Sequence, residues 1–194
     1  MSTSASARPA LRADAARNRA KILDAARRLY EESGEAGPEQ VARAAGVGVG
    51  TLYRHFPNRE ALAAAVYEDE LEQVALAAGD LLRDHAPAEA LRLWMDRFAR
   101  RFDMKRAMGD AVWSLVRVGA VTAGTARARL TEAAQVLVDA GIASGDVRAE
   151  VRGDDVVVAL VGICVTCPEP SQREQAGRLM DLLLAGVVAN SERR

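Results

Sequence analysis

Aromatic residues are scarce in this 194-residue chain: two Trp, three Tyr and three Phe, 4% in all. Two cysteines cannot build a disulfide framework, and a cytoplasmic setting is expected. The two histidines, His55 and His85, supply little for a metal site or a catalytic base, and no nucleophile–base constellation is apparent. No run of eighteen apolar residues occurs, so no membrane span is expected. The leader MSTSASARPALRADAARNR is polar and basic without an apolar stretch, which argues against a secretory signal. Neither sign of charge is in surplus, with 26 Lys and Arg against 27 Asp and Glu. What is abundant is apolar residues, at 49%, in a chain long enough for one or two domains with a real core.

The balanced charge hides an uneven distribution. Residues 1–62 hold ten Lys and Arg against seven Asp and Glu, whereas residues 63–194 hold sixteen against twenty. The bias peaks in residues 1–28, with seven basic residues against two acidic. Two readings of this leader stand side by side: a solvated, disordered arm over residues 1–12, or an arm that tracks phosphates or reaches a minor groove.

The pattern is helical almost throughout. Ile22, Ala25, Ala26 and Leu29 mark one face of a first helix, from about Ala13 to Glu32. Gly37-Pro38 opens a second, to Ala45, and a third spans about Val49 to Phe56. Asn58 suits the cap of a long fourth helix, Arg59 to Asp84, with a buried stripe through Leu62, Val66, Leu71, Val74, Ala78, Leu81 and Leu82. Further helices are expected over about 88–102, 105–118, 126–140 (capped by Thr125 and stopped by Gly141), 154–166 and 172–189 (with a Ser171/Glu174 capping box). The β-branched run Val156–Val161 is the one ambiguous segment. It reads better as a helix buried on all sides than as a strand, because no other segment offers strand partners. The expected fold is all-α, with about nine helices: residues 13–60 a helix-turn-helix domain, residues 61–194 a helical bundle.

Residues 41–56, VARAAGVGVGTLYRHF, carry the functional signal. An apolar helix end meets a glycine stop at Gly46, a short turn follows, and a second helix carries Thr51, Tyr53, Arg54 and His55. That is the layout of a helix-turn-helix, whose second helix enters the DNA major groove. Leu52 and Phe56, four apart, should seat this helix on Ile22, Leu29, Val41 and Ala45, leaving Thr51, Arg54 and His55 on the open face. The Thr51 hydroxyl, Tyr53 phenol and His55 imidazole suit phosphate oxygens. Arg54 can donate two bonds to guanine, and Val49 can meet a thymine methyl.

These residues closely resemble the TetR family of transcriptional regulators. The resemblance is carried by Arg17-Asn18-Arg19, Ile22-Leu23-Asp24-Ala25-Ala26, Val41-Ala42, Ala45-Gly46-Val47, Gly50-Thr51-Leu52-Tyr53-Arg54-His55-Phe56 and Arg59-Glu60-Ala61-Leu62. It implies phosphate contacts from Thr51, Tyr53, His55 and Arg59, a homodimer on a double-stranded, pseudo-palindromic operator, and no enzymatic activity. It also implies an effector pocket in the C-terminal bundle, whose occupation shifts the fourth helix and changes the separation of the two reading heads. The sequence departs from the family pattern at Gly34–Glu39, which is about two residues short. It lacks the Ser or Thr hydroxyl usual near Gly37 and Pro38, and Glu39 adds a negative charge there. Arg43 is the remaining candidate contact on the second helix, and more is asked of Arg8, Arg12, Arg17 and Arg19.

Half of the eight aromatics fall between Trp94 and Trp113. Val66, Trp94, Phe98, Phe102, Met108, Trp113 and Val116 are therefore expected to line either the bundle core or a pocket for a mainly hydrophobic small molecule. Val157, Leu160, Val161, Leu179, Leu183 and Val187 are candidates for the dimer interface, with burial inside the subunit as the competing reading. Cys164 and Cys167 form a C-x-x-C without a βαβ context or a second such pair. Two small buried residues is the preferred reading, and a thiol or zinc sensor is the alternative. A helical interaction protein with weakened DNA binding is a further rival. No cofactor and no metal are expected.

Overall fold

A computed structural model describes residues 7–34, 36–107 and 123–189, with side chains over 13–34, 36–102 and 127–189. Eight α-helices fall in these residues: α1 (Ala7–Ser33), α2 (Pro38–Ala45), α3 (Val49–His55), α4 (Arg59–Asp84), α5 (Pro87–Ala107), α6 (Ala123–Ser144), α7 (Gly153–Thr166) and α8 (Arg173–Val187). A single 3-10 turn, Pro170–Gln172, precedes α8. Among the described residues there is no strand, only one isolated antiparallel bridge between Val147 and Val188. No described helix is long and apolar enough to cross a membrane.

The described residues fall into two compact units, one of 7–69 with 104–107 and one of 70–103 with 123–189. In the first, Ile22, Ala26 and Tyr30 of α1 close over Val41, Leu52, Phe56 and Leu62. Gly34 and Gly46 end α1 and α2 in the left-handed region, at φ 72° and 66°, where a Cβ would be strained. The Gly46 and Val47 N–H groups donate back to the Arg43 and Ala42 carbonyls, which reverses the chain into α3. Asn58 caps α4, its Oδ1 accepting the Ala61 N–H at 2.7 Å.

In the second unit Leu71, Val74, Ala78 and Leu81 of α4 line one buried stripe, and Leu91, Trp94, Met95 and Phe98 of α5 another. α6 packs on α7, and α7 on α8. Val156–Val161 is helical, as its lack of strand partners requires. Val147 finds its partner elsewhere, at the end of α8, where Arg148 N–H donates to Val187 O and Ala189 N–H to Asp146 O.

Several boundaries differ from expectation. α1 starts at Ala7, so it reaches into the stretch read as a disordered arm. α5 runs without a break to Ala107, so it takes in residues 105–107 of the separate helix expected over 105–118, and the rest of that helix falls outside the described residues. α6 begins at Ala123, which puts Thr125 inside the helix rather than at its cap. It also passes through Gly141 and stops at Ser144, because Gly145 is the residue at positive φ, 81°. Before α8, the Glu169 N–H donates to Gln172 Oε1 at 3.0 Å, and the expected Ser171/Glu174 box does not form.

Gly153, the first residue of α7, sits against the α6 backbone. A Cβ there would lie 2.5 Å from Gln135 N and 2.9 Å from Thr131 O. Its N–H is held by Gln135 Oε1 at 2.7 Å. Neither backbone atom can yield as a side-chain tip would, so Gly153→Ala should cost about 2 kcal/mol and lower Tm by about 4–8 °C. Thermal unfolding followed by circular dichroism checks this, and an unchanged Tm would show that α6 and α7 can separate without cost.

Candidate nucleic-acid interface and C-terminal surfaces

The seven residues of α3 divide sharply. Leu52 is buried, as is Phe56 just beyond the helix, and these anchor it to the core. Val49 and Tyr53 are 39% and 42% exposed and so leave apolar and aromatic surface open. Arg54 is exposed, and Thr51 and His55 are half-buried. Tyr53 thus keeps part of its ring on the open face. Arg43 on α2 and Arg59 at the start of α4 are exposed as well.

Three features were not legible in the sequence. At the start of α2, where Gly37 offers no capping hydroxyl, Gln40 Oε1 accepts the Gly37 N–H at 3.3 Å. Burial pushes the Tyr30 phenol above its usual pKa, and the neighbouring Arg59 cation offsets part of the rise. Arg17 is ion-paired with Asp14 one turn away, whereas Arg19 lies over the Phe56 ring, 5.6 Å from its centroid.

The expected effector residues are not all brought together. Val66 belongs to the core of the first unit, beside Leu62 and Ala63, because that turn of α4 faces α1. Met108, Trp113 and Val116 lie outside the described residues. Trp94, Phe98 and Phe102 do form a stack along α5, with ring centroids 5.9 and 6.4 Å apart. Trp94 is wholly buried, and its indole N–H donates to Val74 O at 2.9 Å. Sequence reasoning missed Glu70, a buried charged side chain that is ion-paired with Arg101. Its position in the series Val66, Glu70, Val74, Ala77, Leu81 is the available signal, since that spacing is a core stripe.

The expected dimer residues split in the same way. Val157, Leu160 and Val187 are buried inside the subunit, Leu179 and Leu183 are half-buried, and Val161 is exposed. The uncovered apolar surface is mainly one residue further round each helix, at Val158, Val161 and Val165 on α7 and Leu182 on α8. Beside Leu182, an open groove of about 520 Å³ is lined by Gln175, Arg178, Leu179 and Asp181. Cys164 and Cys167 are buried and not joined by a disulfide. Among the described residues, no group of three or more His, Cys, Asp or Glu could hold a metal ion.

Comparison with known proteins agrees with this geometry. Residues 22–66 match the family model for bacterial regulatory proteins of the TetR family, and residues 86–189 match the C-terminal domain of SbtR-like transcriptional regulators. A TetR transcriptional regulator from Streptomyces coelicolor is 43% identical, with a TM-score of 0.78 over 89% of this chain and 99% of that one. A TetR transcription regulatory protein from Mycobacterium vanbaalenii is 33% identical, with a TM-score of 0.69 over 92% and 99%. An HTH-type transcriptional regulator of Staphylococcus aureus (strain bovine RF122 / ET3-1) is 30% identical over 44% of this chain and 48% of its own length. The chain spans about half the length, or less, of the curated relatives it matches. With an all-α fold, a helix-turn-helix in the first unit and both family models matched in order, the chain belongs to the TetR family of DNA-binding transcription regulators, which are not enzymes.

Proposed function

We propose that this chain is a cytoplasmic, homodimeric repressor, released from a pseudo-palindromic operator by a mainly hydrophobic small molecule. The observation that carries the DNA half of the reading is the division of α3: Leu52 fixes it to the core while Val49, Tyr53 and Arg54 stay open. In this reading Thr51, Tyr53, His55, Arg43 and Arg59 hold phosphates and fix register, and Arg54 and Val49 meet base edges. Gly48 and Gly50 supply no side-chain donors, so base reading is concentrated on few residues. The effector would bind the bundle around Phe98 and Phe102 more tightly in the DNA-incompetent state, and DNA would weaken the effector by the same factor.

Selection of bound sequences from a random duplex pool tests the reading, and an inverted repeat is the expected result. No enrichment would favour a helical interaction protein instead. Arg54→Ala should then lose about 1–3 kcal/mol of discrimination at one position of each half-site, with non-specific affinity little changed. Arg59→Ala should weaken all sequences alike and reduce the salt slope by about 1 per subunit. If both variants kept wild-type affinity and selectivity, α3 would not be the reading element.

A further inference from the structure

Two bonds set the register of α4 against α5. The Trp94 indole N–H donates to Val74 O, and one turn back along α4 the Glu70 carboxylate is ion-paired with Arg101 of α5. The helices therefore run antiparallel there, and Glu70 stands level with Phe98, the residue one turn after Trp94. Trp94, Phe98, Arg101 and Phe102 follow at i, i+4, i+7 and i+8, which puts the guanidinium on the same face as the ring stack. Glu70 belongs to the core stripe that Val74, Ala77 and Leu81 continue.

The two partners are buried unequally: the Glu70 side chain is 1% exposed, that of Arg101 29%. A buried ion pair adds little stability over apolar residues of the same volume, so packing alone does not account for a carboxylate in this stripe. The inequality decides which charge a ligand can take. Part of Arg101 already meets water, and its long side chain can swing outward and leave the carboxylate to a second cation. An acidic ligand would instead have to draw Arg101 away from a carboxylate that cannot follow it into water, and that is the costlier exchange.

We propose that the effector is a monovalent organic cation with an apolar body, whose charged head displaces Arg101 from Glu70 while its body lies on Phe98 and Phe102. The rings add the attraction of their π-faces for a cation. The inference rests on the reading of the bundle around these rings as the effector site. It supplies a charged group where the Trp94 indole, already bonded to Val74, offers none.

Decyltrimethylammonium, decanol and decanoate share one apolar chain and differ in head charge. Binding to the DNA-free protein, measured by calorimetry below micelle formation, should rank cation, alcohol, anion, with about tenfold between the first two. Glu70→Gln keeps the shape and removes the charge. It should weaken the cation about tenfold, to the level of the alcohol, whose own affinity should hold within about twofold. A purely structural pair would alter all three ligands alike. Arg101→Met removes the competitor for the carboxylate, so it should lower Tm without ligand and tighten the cation about tenfold. Should that variant not fold, the ranking and Glu70→Gln decide. Equal binding of the three, tightest binding of the anion, no binding of the cation, or a cation affinity untouched by Glu70→Gln would each overturn the proposal. Glu70-dependent cation binding that left operator affinity unchanged would keep the ligand site and overturn the release reading instead.

Discussion

A Val158→Glu, Leu182→Glu variant is expected to be a folded monomer under conditions where the wild-type chain sediments as a dimer. Val158 is 52% exposed, Val165 56% and Leu182 68%. They share faces of α7 and α8, two helices that pack on each other. Gly162 lies on the α7 face, where a Cβ would have no neighbour within 4 Å, so a second helix can approach closely. In a two-fold interface every residue is used twice. A carboxylate at each of these positions would be buried four times per dimer, without a partner of opposite charge arranged for it. Even after relaxation this should cost about 4 kcal/mol, near a thousandfold in the dissociation constant. Neither side chain belongs to the core, so the helical signal and Tm of the subunit should survive. Sedimentation and melting measured on the same sample check both statements. Operator affinity should fall with the dimer, because two linked heads gain from effective concentration what one head cannot. A variant that stayed dimeric would place the interface elsewhere.

This prediction uses residues that the sequence did not single out. In Val156-Val157-Val158-Ala159-Leu160-Val161 every position is apolar, so hydropathy marks the helix as covered on all sides without saying which side the subunit covers. Packing against α6 decides that: Gly153 fixes α7 at backbone contact, and Val157 and Leu160 then turn inward. The helix-turn-helix was legible because local chemistry determines it. Gly46 must adopt positive φ, Leu52 and Phe56 must be buried together, and the residues between are left outside. Gly141 misled for the opposite reason. It looks like a helix stop, but its bare Cα is needed where Val147 approaches, with Val147 Cγ2 2.4 Å from a built Cβ. Only the fold makes that contact. Glu70 stands among Glu68, Asp69 and Glu72, and its ion pair with Arg101 depends on how α4 and α5 align.

Replacing Trp94 should separate the two readings of the aromatic stretch. The side chain is wholly buried among Val74, Leu91, Met95 and Phe98, so Trp94→Ala removes a full indole from a packed core. About 4 kcal/mol is expected, a fall in Tm of roughly 8–16 °C for a chain of this length. Trp94→Phe keeps most of the volume and deletes one hydrogen bond. The Val74 carbonyl keeps its helical acceptor role, so this change should cost only about 1 kcal/mol. The indole N–H already donates to Val74, which leaves it no polar group to offer a ligand. Trp94→Phe should therefore shift Tm slightly while leaving effector-driven release from DNA unchanged. Phe102, half-buried at the outer end of the stack, is where a ligand has surface to meet, and Phe102→Ala should impair release with a smaller stability loss than Trp94→Ala. If Trp94→Phe abolished release at an unchanged Tm, the indole would be part of the effector site and not of the core beneath it.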